Sequence, residues 1–220
     1  VALGLSVSPG AMALLGMLMT SDQPEAETPT PPAAPEFWTD GDVADSASTA
    51  ITGSSADSFV GYTAASTAAA TSALTNVGRG SGNVATFDMS AGGNNELVAE
   101  DDAARSSGSI AYTGGTGNDS LTFGNELAYY GGTATFNMAA GGNNTFVADD
   151  YAASDSGSLS YTGGSGDDSL TFGHSLVIEG GTATFNMSLG GNNTFVAGNY
   201  AASSSGSIEY TGGSGDDNLT

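Results

Sequence analysis

A short pattern repeats along most of this chain, at a spacing that few folds can accommodate. Similar blocks begin at Gly108, Gly157 and Gly206, each with Gly-Ser and an aliphatic residue, and successive blocks lie 49 residues apart. Each block divides again into two halves, because residues 162–173 and 187–198 share one pattern of polar and apolar residues. Repeats of this kind are typical of solenoids, in which each repeat buries its apolar side chains against its neighbours.

A glycine-rich turn with a marker Asp or Asn occurs once in every half-block. The markers are separated by alternating steps of 24 and 25 residues: Asn95, Asp119, Asn144, Asp168, Asn193 and Asp217. We therefore predict one coil per 24 or 25 residues, with two alternating coil types. A coil of 49 residues is the alternative, and it would stack the Asp turns directly on one another. A weaker copy from Thr52 has Asp57 in the marker position.

Apolar and polar residues alternate inside each half-block, which predicts β-strands. In one coil Leu159 and Tyr161 precede the turn, Leu170 and Phe172 follow it, and a third alternating stretch covers 176–178. We predict an all-β parallel β-solenoid over residues 81–220, with three short strands per coil. The aromatic residues at equivalent positions are expected to stack in the core: Phe87, Phe136 and Phe185 in one coil type, and Tyr112, Tyr161 and Tyr210 in the other.

The first 80 residues differ from this array. Residues Val1–Thr20 are uncharged and mainly apolar, and a bilayer is crossed by ~20 such residues. We predict a hydrophobic helix that attaches the chain to lipid or to a membrane protein complex; a helix packed on protein and a signal-like remnant are the alternatives. Residues 21–49 hold five of the six prolines and predict an extended acidic linker, and residues 50–80 predict an irregular cap.

The charge of the chain excludes one class of partner. With 2 Lys and Arg against 24 Asp and Glu, the net charge of −22 repels phosphate backbones, so we expect no binding to nucleic acid. The sequence has no Cys, and its one histidine, His174, occupies the repeat position of Asn125. Because the many Ser and Thr residues have no base beside them, we do not expect an enzyme.

The sharpest motif is the glycine-aspartate turn. It reads GGTGNDSL from Gly114, GGSGDDSL from Gly163 and GGSGDDNL from Gly212. Glycines permit tight turns, and an Asp carboxylate is a hard oxygen ligand of the kind that Ca²⁺ prefers. The motif resembles the G-G-x-G-x-D-x-U-x repeat of RTX (hemolysin-type) calcium-binding proteins, whose turns and short strands stack into a β-roll.

This resemblance implies Ca²⁺ as the bound cofactor. Its implied ligands are the marker carboxylates and the turn carbonyls: Asp119, Asp168, Asp217, Gly114, Gly117, Gly163, Gly166, Gly212 and Gly215. The sequence departs from the family in its unit of 24 or 25 residues rather than nine, and in Asn144 and Asn193, which replace Asp in alternate turns. A ladder of hydrogen-bonded Asp and Asn side chains without metal is the alternative interpretation.

The function expected from these features is that of a non-enzymatic, calcium-binding structural or interaction protein. We expect the solenoid to be membrane-attached and displayed in the periplasm or outside the cell. The alternative is a fragment of a secreted RTX-like adhesin or of an extracellular matrix or filament protein that self-associates, with further coils after Thr220. A third hypothesis is an appendage that helps a separate catalytic domain to fold.

Overall fold

The computed structural model describes residues 34–38, 48–61 and 74–220. These residues form a parallel β-solenoid without any helix, which confirms the predicted fold class. They therefore include no helix that is long and apolar enough to cross a membrane. The predicted anchor over Val1–Thr20 lies outside the described residues, and so does most of the predicted linker.

Two parallel sheets build the solenoid, and each coil contributes one strand to each sheet. The eight-stranded sheet contains, in spatial order, β1 (Glu36–Trp38), β3 (Ser58–Val60), β5 (Glu96–Ala99), β7 (Ser120–Phe123), β9 (Thr145–Ala148), β11 (Ser169–Phe172), β13 (Thr194–Ala197) and β15 (Asn218–Leu219). The seven-stranded sheet contains β2 (Thr49–Thr52), β4 (Val84–Asp88), β6 (Ser109–Thr113), β8 (Thr133–Asn137), β10 (Ser158–Thr162), β12 (Thr182–Asn186) and β14 (Ser207–Thr211).

The strand register establishes the length of one coil. Tyr161 pairs with Phe136 on one side and with Phe185 on the other, so neighbouring strands are 25 and 24 residues apart. The coil of 24 or 25 residues is therefore confirmed, and the alternative of a 49-residue coil is wrong. As a result, the Tyr and Phe residues that were expected to stack within each coil type alternate in a single column.

The core lies between the two sheets and consists of stacked aromatic and aliphatic side chains. Phe146 is fully buried, and its ring centroid lies 4.8 Å from that of Phe136, 5.5 Å from that of Phe172 and 5.7 Å from those of Phe123 and Tyr161. Each coil thus places its aromatic rings against those of the coils before and after it. A single coil could not bury its own aromatic rings, which explains why each repeat needs neighbouring repeats.

The sheets begin earlier than the predicted boundary at residue 81. Strand β1, from the predicted linker, pairs with β3 from the predicted cap, and the side chain of Trp38 packs against the core. The register also corrects one assignment. Because Phe59 pairs with Glu96, Ser58 and not Asp57 occupies the marker position of this coil.

The third side of each coil is not the strand that the alternating pattern predicts. Leu176 and Val177 are both fully buried although they are consecutive, whereas alternation would bury Leu176 and Ile178. The preceding Ser175 has a left-handed φ of 60°, which breaks the alternation. Adjacent coils still form hydrogen bonds here, for example from the Val177 N–H to the Ala201 carbonyl at 2.9 Å. This side is therefore a hydrogen-bonded corner of irregular backbone.

Candidate functional site

The marker residues form a continuous buried ladder along the solenoid. Asn95, Asp119, Asn144, Asp168 and Asn193 are each at most 2% exposed. Each marker side chain after Asn95 accepts a hydrogen bond from the backbone N–H of the marker one coil earlier, at 2.9–3.1 Å: the acceptors are Asp119, Asn144, Asp168, Asn193 and Asp217. The predicted stacking of the markers is present, but they point into the solenoid rather than lining its outer edge.

Asn and Asp alternate in this ladder because their two turn types present different backbone groups. The Asn144 amide Nδ2 donates to the carbonyls of Gly141 and Gly142, at 3.2 and 3.4 Å, and to Asp168 Oδ1 at 3.0 Å. At the other turn type the Gly164 N–H interacts with the Asp168 carboxylate. One turn therefore offers acceptors and requires an amide, whereas the other offers a donor and requires a carboxylate.

Burial changes the acidity of these carboxyl groups. It raises the pKa of Asp119 from 3.8 to about 6, against the opposing effect of hydrogen bonds from Asn95 and Gly115. The pKa of Asp168 is raised for the same reason. Oδ2 of each carboxylate is buried and makes no hydrogen bond of ordinary geometry. The charged form of these carboxyl groups therefore weakens the folded state.

The glycines that the motif predicts as calcium ligands have a packing role in the structure. A Cβ at Gly114 or Gly163 would lie 2.2 or 2.5 Å from Oδ2 of the marker Asp in the same turn. A Cβ at Gly117 or Gly166 would lie 1.8 or 2.0 Å from a backbone carbonyl of the preceding coil. Gly212 and Gly215 repeat this arrangement at Asp217. Only glycine fits at these positions, because a Cβ would collide with the marker carboxylate or with the backbone of the preceding coil.

A second ladder, exposed to solvent, runs beside the buried one and was missed from the sequence. Asp167 Oδ1 accepts hydrogen bonds from the backbone and side-chain nitrogens of Asn192, at 2.6 and 3.3 Å, while its own N–H donates to Asn143 Oδ1 at 2.8 Å. Asn118 and Asp216 continue this pattern. The sequence does contain a signal for this ladder, because the residue before each marker is Asn or Asp in every regular turn.

The marker residues do not fit a resident calcium ion. Ca²⁺ takes 6–8 oxygen ligands, but Asp168 Oδ1 is already occupied by two N–H donors from Asn144. Asn144 also separates Asp168 from Asp119, and Asn193 separates it from Asp217. Within the described residues, no three His, Asp or Glu side chains come together as a metal site. Calcium binding stays a prediction, and this geometry favours the metal-free ladder.

Both cations of the chain lie at the irregular corner. Asp102 accepts from Arg79 at 2.9 Å and from Arg105 at 2.6 Å, and Arg105 also pairs with Glu126 at 2.6 Å. The Arg105 guanidinium lies 5.1 Å from the Tyr130 ring centroid. Asp102, Arg105 and Glu126 border an open cleft of about 430 Å³. Its lining also includes three polar side chains and one aromatic: Asp101, Asn125, Asp150 and Tyr151. Of its carboxylates, Asp102 and Glu126 are paired with arginine. Asp101 and Asp150 accept hydrogen bonds from the backbone N–H groups of Asn125 and His174.

The middle strands of the two flat sides are, by contrast, uncharged. Outward acidic residues occur only in the strands that flank them, at Asp88 of β4, Glu96 of β5 and Glu209 of β14 among the described strands from β4 to β14. In β6, β8, β10 and β12 the first, third and fifth residues point outward, and these twelve residues are nine Ser or Thr, two Asn and one Ala. We call this surface the hydroxyl face. The outward residues of β7, β9, β11 and β13 are Ser, Thr and Val. Charge in this part of the array is therefore concentrated on the turns and the corner.

No protein-family model matches this chain, and neither the curated proteins nor the solved structures contain a significant match. The resemblance to RTX repeats therefore depends on the turn motif alone.

Proposed function

We propose that this chain is a structural or interaction protein in which a stiff solenoid presents flat surfaces at a fixed spacing. The observation that carries the proposal is the unbroken register of the two sheets, which aligns equivalent residues of every coil from β4 to β14. Surfaces built in this way repeat along the array instead of converging on one concave centre. Such repetition suits a scaffold or an extended contact better than a catalyst.

The hydrogen-bonded ladders supply the stiffness in this proposal. The buried ladder joins the turns of consecutive coils from Asn95 to Asp217, and the exposed ladder joins the same turns from outside. Bending the array would break bonds of both ladders on one side. The proposed location outside the cytoplasm and the membrane attachment through Val1–Thr20 are expectations from the sequence. They are tested by whether detergent is needed to extract the protein.

Deleting one block tests the scaffold directly. Removal of residues 133–181 joins Gly132 to Thr182, which restores the Gly-Gly-Thr sequence found at both junctions. We expect a folded, shorter rod, reduced by two coils or about 10 Å at ~4.8 Å per coil. Small-angle scattering measures the length, and circular dichroism measures the β-structure. A matched deletion of residues 133–169, which breaks the coil period, serves as the control and is expected not to fold.

An in-period deletion that unfolds the chain as completely as the control would overturn the proposal. A rod whose length does not change would also overturn the proposal, because each coil would then not add a fixed length to the array.

A further inference from the structure

We propose that the hydroxyl face binds the surface of ice. This inference rests on the proposed function, because it names the surface that the stiff array contacts. It starts from an imbalance of charge: the chain carries a net charge of −22, yet none of the twelve outward residues of β6, β8, β10 and β12 is charged. Asp88 and Glu209, the outward acidic residues of the flanking strands β4 and β14, border this neutral area. A neutral surface on so acidic a chain matches a partner that carries no charge of its own.

The face is regular in two directions. Its strands pair residue for residue, so that Thr135 lies beside Ala111 and Ser160, and Ser160 beside Thr184. Side chains therefore recur at about 4.8 Å between strands and at about 6.6 Å along each strand. A partner that makes use of this grid must itself be periodic.

The side chains of the face are short, and many of them are stiff. Thr133, Thr135, Thr182 and Thr184 are exposed, while Ser158 and Ser160 of the strand between them are half-buried. The face thus has rows of Thr methyl and hydroxyl groups with a lower row of Ser hydroxyls between them. Because β-branched side chains are restricted at χ1, little entropy is lost when the hydroxyls hold water in fixed positions. Water ordered in this way can join a growing ice lattice.

Other occupants fit this surface less well. Protein interfaces depend on aromatic residues and arginine, and Ser and Thr are under-represented among their hot spots. Sugar rings stack on aromatic side chains, and none of the twelve outward residues is aromatic. Two copies of the face would bury little apolar surface against each other. A lattice of water requires only hydroxyl groups, methyl groups and spacing.

The test measures how much of the full-length protein enters slowly growing ice, together with the shape of ice crystals and the thermal hysteresis in its solution. We expect the wild-type chain to enter ice and to shape crystals. The double variant Thr135→Lys and Thr184→Lys, which places two long charged side chains in the middle of the hydroxyl face, is expected to lose both effects.

The matched control is Thr122→Lys with Thr171→Lys, in exposed positions at the centre of β7 and β11 on the opposite sheet. It changes the net charge equally and is expected to retain both effects. The inference is overturned if the wild-type chain is excluded from ice, if only the control variant loses activity, or if the chain binds insoluble polysaccharide but not ice.

Melting followed by circular dichroism separates this inference from the proposed function. Exclusion from ice by a chain that melts as ordered β-structure contradicts only the ice inference. A chain without ordered β-structure would contradict the scaffold as well.

Discussion

Asp168 and Asn144 are joined by two hydrogen bonds across neighbouring coils. Asp168 Oδ1 accepts from the Asn144 backbone N–H at 2.9 Å and from Asn144 Nδ2 at 3.0 Å. The Asn144 amide thereby donates hydrogen bonds both to the carbonyls of its own turn and to the carboxylate of the next turn. This relationship makes each coil depend on the identity of the marker residue in the following coil, and it repeats at Asn95 with Asp119 and at Asn193 with Asp217.

Mild acidification is expected to stabilise the array. The pKa of Asp119 is about 6 in the folded chain against 3.8 as its ordinary value, because burial disfavours the charged form. The folded state therefore binds the proton more tightly, and this stabilisation is fully present below pH 3.8 and lost as the pH rises through 6. Between pH 7 and 5 the free energy of unfolding should rise by about 1 kcal/mol for this group.

Thermal melting at pH 7, 6 and 5 measures this effect. Asp119→Asn should flatten the dependence on pH, whereas Thr145→Asn, at an exposed position of β9 that carries no charge, should leave it unchanged. Equal slopes for the wild type and Asp119→Asn would show that Asp119 is not the titrating group.

Phe146 is expected to contribute strongly to stability, because its buried ring contacts aromatic rings of its own coil and of both neighbouring coils. Phe146→Ala should lower the free energy of unfolding by about 3–5 kcal/mol, as is usual for a buried aromatic residue. Val147→Ala, on the outward side of the same strand, should cost less than about 1 kcal/mol. Urea titration distinguishes the two, and similar costs would contradict the assignment of inner and outer sides.

Adjacent glycines in one turn should respond differently to the same substitution. Gly141 and Gly142 both have left-handed φ values, of 127° and 84°, but only at Gly142 would a Cβ meet backbone, 1.8 Å from the Gly117 carbonyl oxygen. Gly141→Ala should cost about 1–3 kcal/mol from backbone strain alone. Gly142→Ala should cost about 1–3 kcal/mol more, because the coils must separate. Melting temperatures rank the two variants, and the reverse order would contradict the stacking of these turns.

The sequence was sufficient to predict the solenoid and its coil length. Tyr161 and Phe185 recur at the coil period within alternating segments, and period and alternation together determine which strands pair. The corner could not be predicted in this way, since Tyr151 and Ser175 have left-handed φ values of 62° and 60° that neither residue type favours. Their conformation follows from packing between coils, which a local pattern does not encode.

The direction of the marker carboxylates was also not predictable from the motif. Asp is almost never fully buried unless it is paired, so a turn with Asp168 indicated an outward ligand. The informative signal was the partner: Asn144 and Asn193 precede and follow Asp168 at the coil period. An amide between two carboxylates provides donors where a metal ion would otherwise be required.

Exchanging the marker residues tests the central claim, that hydrogen bonds and not calcium hold the turns together. Melting of Asn144→Asp and Asp168→Asn is measured in millimolar Ca²⁺ and in chelator. In Asn144→Asp a carboxylate would face two carbonyls and Asp168, so a loss of about 3–5 kcal/mol is expected in both solutions. Asp168→Asn removes a buried charge but leaves the Gly164 N–H without its acceptor, so a much smaller change is expected.

If calcium held the turns, the order of the two variants would reverse. Asn144→Asp would add a ligand and melt higher in Ca²⁺, and Asp168→Asn would lose a calcium-dependent stabilisation present in the wild type. The ladder predicts equal melting temperatures of the wild-type chain with and without Ca²⁺ and a strongly destabilised Asn144→Asp. A wild-type chain that melts higher in Ca²⁺, together with Asn144→Asp stabilised by the ion, would contradict it.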